Sequence, residues 1–201
     1  MTTLVKAPRG PTPTASACPA LRADLAADLK GCRSGRVQDE FSGTLLVLAL
    51  GNPLLGDEGV GLRALEALAS AAEFPPSIEL LDGGTAGLSL VPRLRSAERV
   101  LVLDAVSAGK PPGTVMRLDG AELGREGFVK TSAHQIGLSD ILSASRLAGG
   151  PEEIVILGVE PASLSLGVGL SAPVESAMGK LVAAALRQLR EWEILECTSS
   201  R

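Results

Sequence analysis

Tyrosine is absent from this chain of 201 residues, which holds only three Phe, one Trp and one His. So few aromatic rings exclude a stacking platform for single-stranded nucleic acid. A basic excess is also missing. Nineteen Lys and Arg stand against 23 Asp and Glu, a formal net charge of −4, where a nucleic-acid binder would carry a basic stripe. No uninterrupted apolar run approaches the roughly 18 residues of a spanning helix. The positive mean hydropathy of +0.27 therefore reflects the Ala, Leu and Val of a core. Cys18, Cys32 and Cys197 are an odd number without C-x-x-C spacing. Cys18 and Cys32 could approach each other, but the pattern reads as reduced thiols rather than a zinc ribbon or a disulfide framework. Lys6 and Arg9 are followed by Pro11 and Pro13 with no apolar stretch behind them, unlike a signal peptide. A cytoplasmic protein with neither nucleic acid nor membrane as partner is expected.

With 45% hydrophobic and 21% charged residues, the chain has the makings of one α/β domain with a full core. Residues 1–42 stand apart, rich in Pro, Thr, Ser and Ala at the start, and read as a poorly ordered extension. The domain proper is expected over 43–195, with 196–201 as a tail. Thr44–Leu50 is a continuous apolar run, as for a strand buried on both faces of a parallel sheet. Further strands are expected at Ile78–Leu81, Val100–Leu103, Thr114–Leu118 and Ile154–Val159. Helical spacing marks Leu62, Leu65, Leu68 and Ala72, a helix ended by Pro75-Pro76. A short helix is expected over Leu88–Leu94 and another around Leu138, Ile141 and Leu142. The last begins near Ser171-Ala172-Pro173 and lines up Val174, Met178, Leu181, Ala185 and Leu189. Alternation of this kind predicts a mostly parallel, twisted sheet of about five strands with helices on both faces.

Ligands of an open parallel sheet bind beyond the carboxyl ends of its strands. Asp57 and Glu58 follow the first strand, Asp82 ends the second and Asp104 ends the third, so four carboxylates leave the sheet at one edge. Each has a structural explanation singly; Asp57, for example, could cap the next helix. Their convergence favours a site. The single histidine, His134, stands in a polar stretch before the helix that feeds Ile154–Val159. In a doubly wound topology we expect that to be the wrong end for a catalytic loop, unless the segment folds back. If it does, carboxylates and an imidazole form a metal set with open positions, suited to nickel, zinc, cobalt or manganese. The glycine-rich turn Gly51–Gly61 is no phosphate cradle. Gly56 is followed by Asp57 instead of Lys, the G-x-G-x-x-G order is missing, and two acids would face the phosphate. Neither a G-x-S-x-G elbow nor a cysteine with a base partner is present.

The turn GNPLLGDEGVG (Gly51–Gly61) resembles the opening signature of the hydrogenase maturation proteases. The resemblance runs on through LLDGGTAGLSL (Leu80–Leu90), VLVLDAV (Val100–Val106), PPGTVMRL (Pro111–Leu118), SAHQIGLSDIL (Ser132–Leu142) and ILGVEP (Ile156–Pro161). It covers roughly residues 44–190, and the extension 1–42 departs from it. It implies a phosphorylase/hydrolase-like three-layer fold and an endopeptidase, grouped with the aspartic type. The enzyme would trim the C-terminal extension of a nickel–iron hydrogenase large-subunit precursor. Glu58, Asp104 and His134 match the family's metal-holding positions, which implies that His134 does fold back. Asp82 matches a position tied to recognition or cleavage. The implied metal is nickel brought by the precursor, with zinc or cadmium as substitutes in vitro. The implied protein is a monomer that meets its substrate transiently. The alternative is a nickel-binding carrier of hydrogenase assembly without proteolysis.

Overall fold

The computed structural model describes residues 44–120 and 138–192. The extension 1–42, the segment containing His134 and the tail lie outside the described residues. Five strands form one sheet: β1 (Leu45–Leu50), β2 (Ile78–Gly84), β3 (Arg99–Ala105), β4 (Val115–Asp119) and β5 (Glu153–Val159), in the order β2-β1-β3-β5-β4. All neighbours are parallel except β4, which runs antiparallel to β5. The helices are α1 (Val60–Ala71), α2 (Val91–Ser96), α3 (Leu138–Leu147) and α4 (Ala172–Glu191). The short helix expected over Leu88–Leu94 divides into a 3-10 turn, Gly87–Leu90, and α2.

Strand alternation sorts the core into two layers. Leu45, Val47, Ala49, Leu101, Leu103, Val155 and Leu157 pack with α1 and α4 on one face. Leu46, Leu48, Val100, Val102, Ile154 and Ile156 pack with α2 and α3 on the other. All six residues of β1 are buried, as its unbroken apolar sequence requires of a strand covered on both sides. The predicted α4 stripe (Val174, Met178, Leu181, Ala185, Leu189) is buried throughout. Among the described residues no helix is long and apolar enough to cross a membrane.

Two features of this topology place the site. The chain leaves β1 for β2 on one side and returns to β3 on the other. The crevice between the ends of β1 and β3 is thus the switch point where open sheets bind ligands. The direction of α3 is the second. At its end, Arg146 donates to the carbonyl of Gly120, whose own N–H donates to Ile154 near the start of β5. This helix therefore descends from the carboxyl edge, and Leu138 opens it at the edge where ligands bind. The expectation is corrected at α3 itself: a helix that feeds a parallel strand must run against it, so its first residue, Leu138, stands at the carboxyl edge. The segment before it lies outside the described residues.

Candidate functional site

The switch-point crevice is closed by a 3-10 turn, Gly56–Gly59, which carries Asp57 and Glu58 into the interior. Two glycines let it approach the strand ends. Gly51 has φ +128°, and a Cβ there would stand 1.8 Å from the carbonyl oxygen of Glu58. On Gly61, a Cβ would meet the carbonyl oxygens of Leu103 at 2.3 Å and Leu50 at 2.4 Å. No larger residue allows the turn to press down this far. In consequence Glu58 is 0% and Asp104 1% exposed.

These two acids form the heart of the site. Burial drives the Asp104 carboxyl up; the Ala105 N–H, donating to Oδ1 at 2.8 Å, pulls it back, and the negative charge of Glu58 raises it again. The outcome is about 7. A buried carboxyl beside a second negative charge favours its proton or a bound cation, because water cannot reach it. The arrangement suits proton transfer or metal ligation. Among the described residues no group of three His, Cys, Asp or Glu could hold a metal ion; a metal on this pair would need a further ligand.

Asp57 does something else. Its Oδ2 accepts from the N–H groups of Ala162 (2.8 Å) and Ser163 (3.0 Å) and from the hydroxyl of Ser171 (2.8 Å), while Oδ1 accepts from the Ser171 N–H (2.6 Å). Burial raises its carboxyl, but these donors outweigh burial and hold it below the usual carboxylate range. Asp57 is thus a fixed anion tying the turn after β1 to the loop between β5 and α4. It caps no residue of α1. Ser171, at the N-cap of α4, turns its hydroxyl to Asp57 instead of capping that helix.

Asp82 is exposed on the edge strand β2, in register with Ala49. Ala49 also pairs with Leu103, which places Asp82 about two strand spacings, roughly 10 Å, from β3. Alternation sets it on the face of Leu80, whereas Asp104 takes the face of Val100 and Val102. Glu58 and Asp104 are therefore brought together and Asp82 stands aside from them. His134 lies outside the described residues. One acid escaped the sequence reading. Glu160, directly after β5, is buried, accepts from the Ala108 N–H at 2.6 Å through Oε2, and steadies the loop after β3. The rule applied to the first three strands, an acid just past a strand end, would have found it.

The chain is similar to known proteins in both sequence and fold. A family model described as hydrogenase maturation protease matches residues 62–188. The hydrogenase 2 maturation protease of Escherichia coli is 40% identical over 149 residues, covering 73% of this chain and 91% of that protein. The hydrogenase expression/formation protein HupD of Rhizobium leguminosarum bv. viciae is 39% identical over 153 residues, 75% of this chain and 76% of its own. Among solved structures, the hydrogenase maturating endopeptidase HybD from E. coli superposes with a TM-score of 0.67 at 37% identity. The match covers 74% of this chain and 93% of HybD.

Proposed function

Because this chain belongs to the hydrogenase maturation protease family and is therefore a peptidase, we propose that its substrate is the large-subunit precursor of a nickel–iron hydrogenase, trimmed at its C-terminus with nickel already in place. The observation that carries the reading is the buried Glu58–Asp104 pair at the switch point. Two carboxylates deep in a crevice invite a cation, and a precursor that arrives with its own nickel supplies one. Glu58, Asp104 and His134 complete the coordination of that nickel and so set the scissile bond against the site. Carboxylate and imidazole donors suit nickel, and zinc or cadmium would occupy the same set. Nickel thereby gates the reaction, since an empty precursor lacks the group that these ligands hold.

Hydrolysis also needs a base for the attacking water. Asp104 beside the metal and Asp82 on the edge strand are the two carboxylates offered for that role. Aspartic chemistry in this sense differs from a dyad of two adjacent aspartates, because the partner of Asp104 is Glu58. The chain works in the cytoplasm as a monomer, meeting its substrate in a transient complex.

The test is the intact mass of nickel-loaded precursor before and after incubation with the protein, with nickel-free precursor and Glu58→Gln as controls. Loss of one defined C-terminal peptide, only with nickel and only with the wild type, is expected. Cleavage regardless of nickel would discard the gating role and keep the peptidase. No cleavage together with tight nickel binding would favour a carrier.

A further inference from the structure

The loop held by Asp57 has a surface that the cleavage chemistry does not use. Gly56 donates to the carbonyl of Gly167 at 2.9 Å, and Gly167 donates to the carbonyl of Leu54 at 2.9 Å. Leu55 and Gly167 thereby form a parallel bridge. Parallel pairing sets Leu54 beside Leu166, and the period of two puts Val168 on the same side as Leu166. All three aliphatic side chains face solvent, at 58%, 85% and 81% exposure. Neither Gly51–Gly56 nor Pro161–Ser171 contains a charged residue.

Single exposed aliphatic residues are ordinary. Here two leucines and a valine are gathered on two loops whose backbones are already hydrogen-bonded, over a buried anion with four donors. Segments fixed in this way lose little freedom on binding, which is what a preformed contact surface requires. Leu54 stands four residues before Glu58 in the same glycine-rich stretch, Gly51–Gly61, so the patch and the site share one segment of chain. Residues 165–169 are all exposed, so the surface projects and does not form a groove. A projecting, uncharged, aliphatic surface fits an apolar hollow of a folded protein better than an extended peptide or a charged polymer.

We infer that Leu54, Leu166 and Val168 form an apolar lip that seats in a hollow of the folded precursor protein, beside the bond to be cut. This rests on the peptidase–precursor assignment above. The lip sets how well the substrate is held, and Glu58 and Asp104 act on what it holds. Asp57, through the loop, is the positioning residue of the lip.

The experiment compares wild type, Leu166→Ser/Val168→Ser and the conservative Leu166→Met, each as the full chain, with purified nickel-loaded precursor. Cleavage is followed by intact mass, and binding is measured separately by stopped-flow mixing, before the bond is cut. For the double variant, KM should rise about tenfold or more and binding should weaken by the same factor. Its kcat should change less than about twofold and its melting temperature should hold. Leu166→Met should behave as wild type. Unchanged KM and binding in the double variant would overturn the lip while leaving the peptidase reading intact. Precursor bound but never cut, with binding lost in the double variant, would sink the peptidase reading and keep the lip. A wild-type dimer in sedimentation that the double variant abolishes would overturn the lip and assign the surface to a second copy.

Discussion

Ser171 is joined twice to Asp57, 114 residues away in sequence: its N–H donates to Oδ1 at 2.6 Å and its hydroxyl to Oδ2 at 2.8 Å. Through these bonds and those from Ala162 and Ser163, one carboxylate closes the loop between β5 and α4 over the turn after β1. Asp57→Ala strands four donors near the interior and should cost about 3 kcal/mol in chemical denaturation. Asp57→Asn should cost a comparable amount, because its amide N–H points donors at donors. A loss below about 0.5 kcal/mol for both would contradict the clamp.

Gly51 and Gly109 separate clash from backbone strain. Both have positive φ, +128° and +66°, but a Cβ on Gly51 strikes the Glu58 carbonyl whereas one on Gly109 meets nothing within 4 Å. Gly109→Ala should cost about 1 kcal/mol. Gly51→Ala should cost about 3 kcal/mol or more and abolish cleavage, since Glu58 moves with its carbonyl. Equal costs in the two variants would show that the close approach does not matter.

Asp104 gives the metal-free protein a pH-dependent stability with a definite sign. Its carboxyl is raised from an ordinary 3.8 to about 7, so between those values the folded state binds more protons than the unfolded one. Stability therefore falls as pH rises from about 4 to 7 and is level above that, by up to about 4 kcal/mol in total. Denaturant midpoints should record this decline in the wild type and lack it in Asp104→Asn. The same decline in the variant would assign it to another group.

In the cleavage assay, Glu58→Gln and Asp104→Asn should each lower the rate by about a hundredfold or more with the fold intact. Asp82→Asn decides between the two proposed bases. A comparable loss there makes Asp82 the base, and little change leaves Asp104. Unchanged rates in all three would remove the carboxylates from the reaction.

Nickel on the isolated protein should bind only modestly, because two carboxylates and one imidazole lack the thiolates that favour tight sites. Equilibrium dialysis against free nickel tests this. Tight, stoichiometric binding would speak for the carrier reading and against a metal brought by the substrate.

The sheet was legible because a strand buried on both faces has no polar residue to hide it: Thr44–Leu50, Val100–Leu103 and Ile154–Val159 read directly as strands. Legibility was weaker wherever a partner lies far along the chain. That Glu58 meets Asp104 follows from the β1–β3 pairing, which the strand-end rule captures. That Asp57 parts from Glu58, its neighbour, depends on Ala162, Ser163 and Ser171, and no local pattern connects those residues to it. The entry end of α3 is hard to read for a different reason: residue spacing locates a helix along the chain, whereas its sense against the sheet follows only from the parallel strand it feeds.

The pairing of β1 with β3 has one more consequence. Glu58 and Asp104 come from separate stretches of chain and share a crevice only after both strands are in register and the turn at Gly56–Gly59 has settled on their ends. Before that moment the two carboxylates are ordinary solvated acids. The reactive arrangement is thus a product of completed folding, and a newly made chain is harmless to itself and to its neighbours until its sheet is finished.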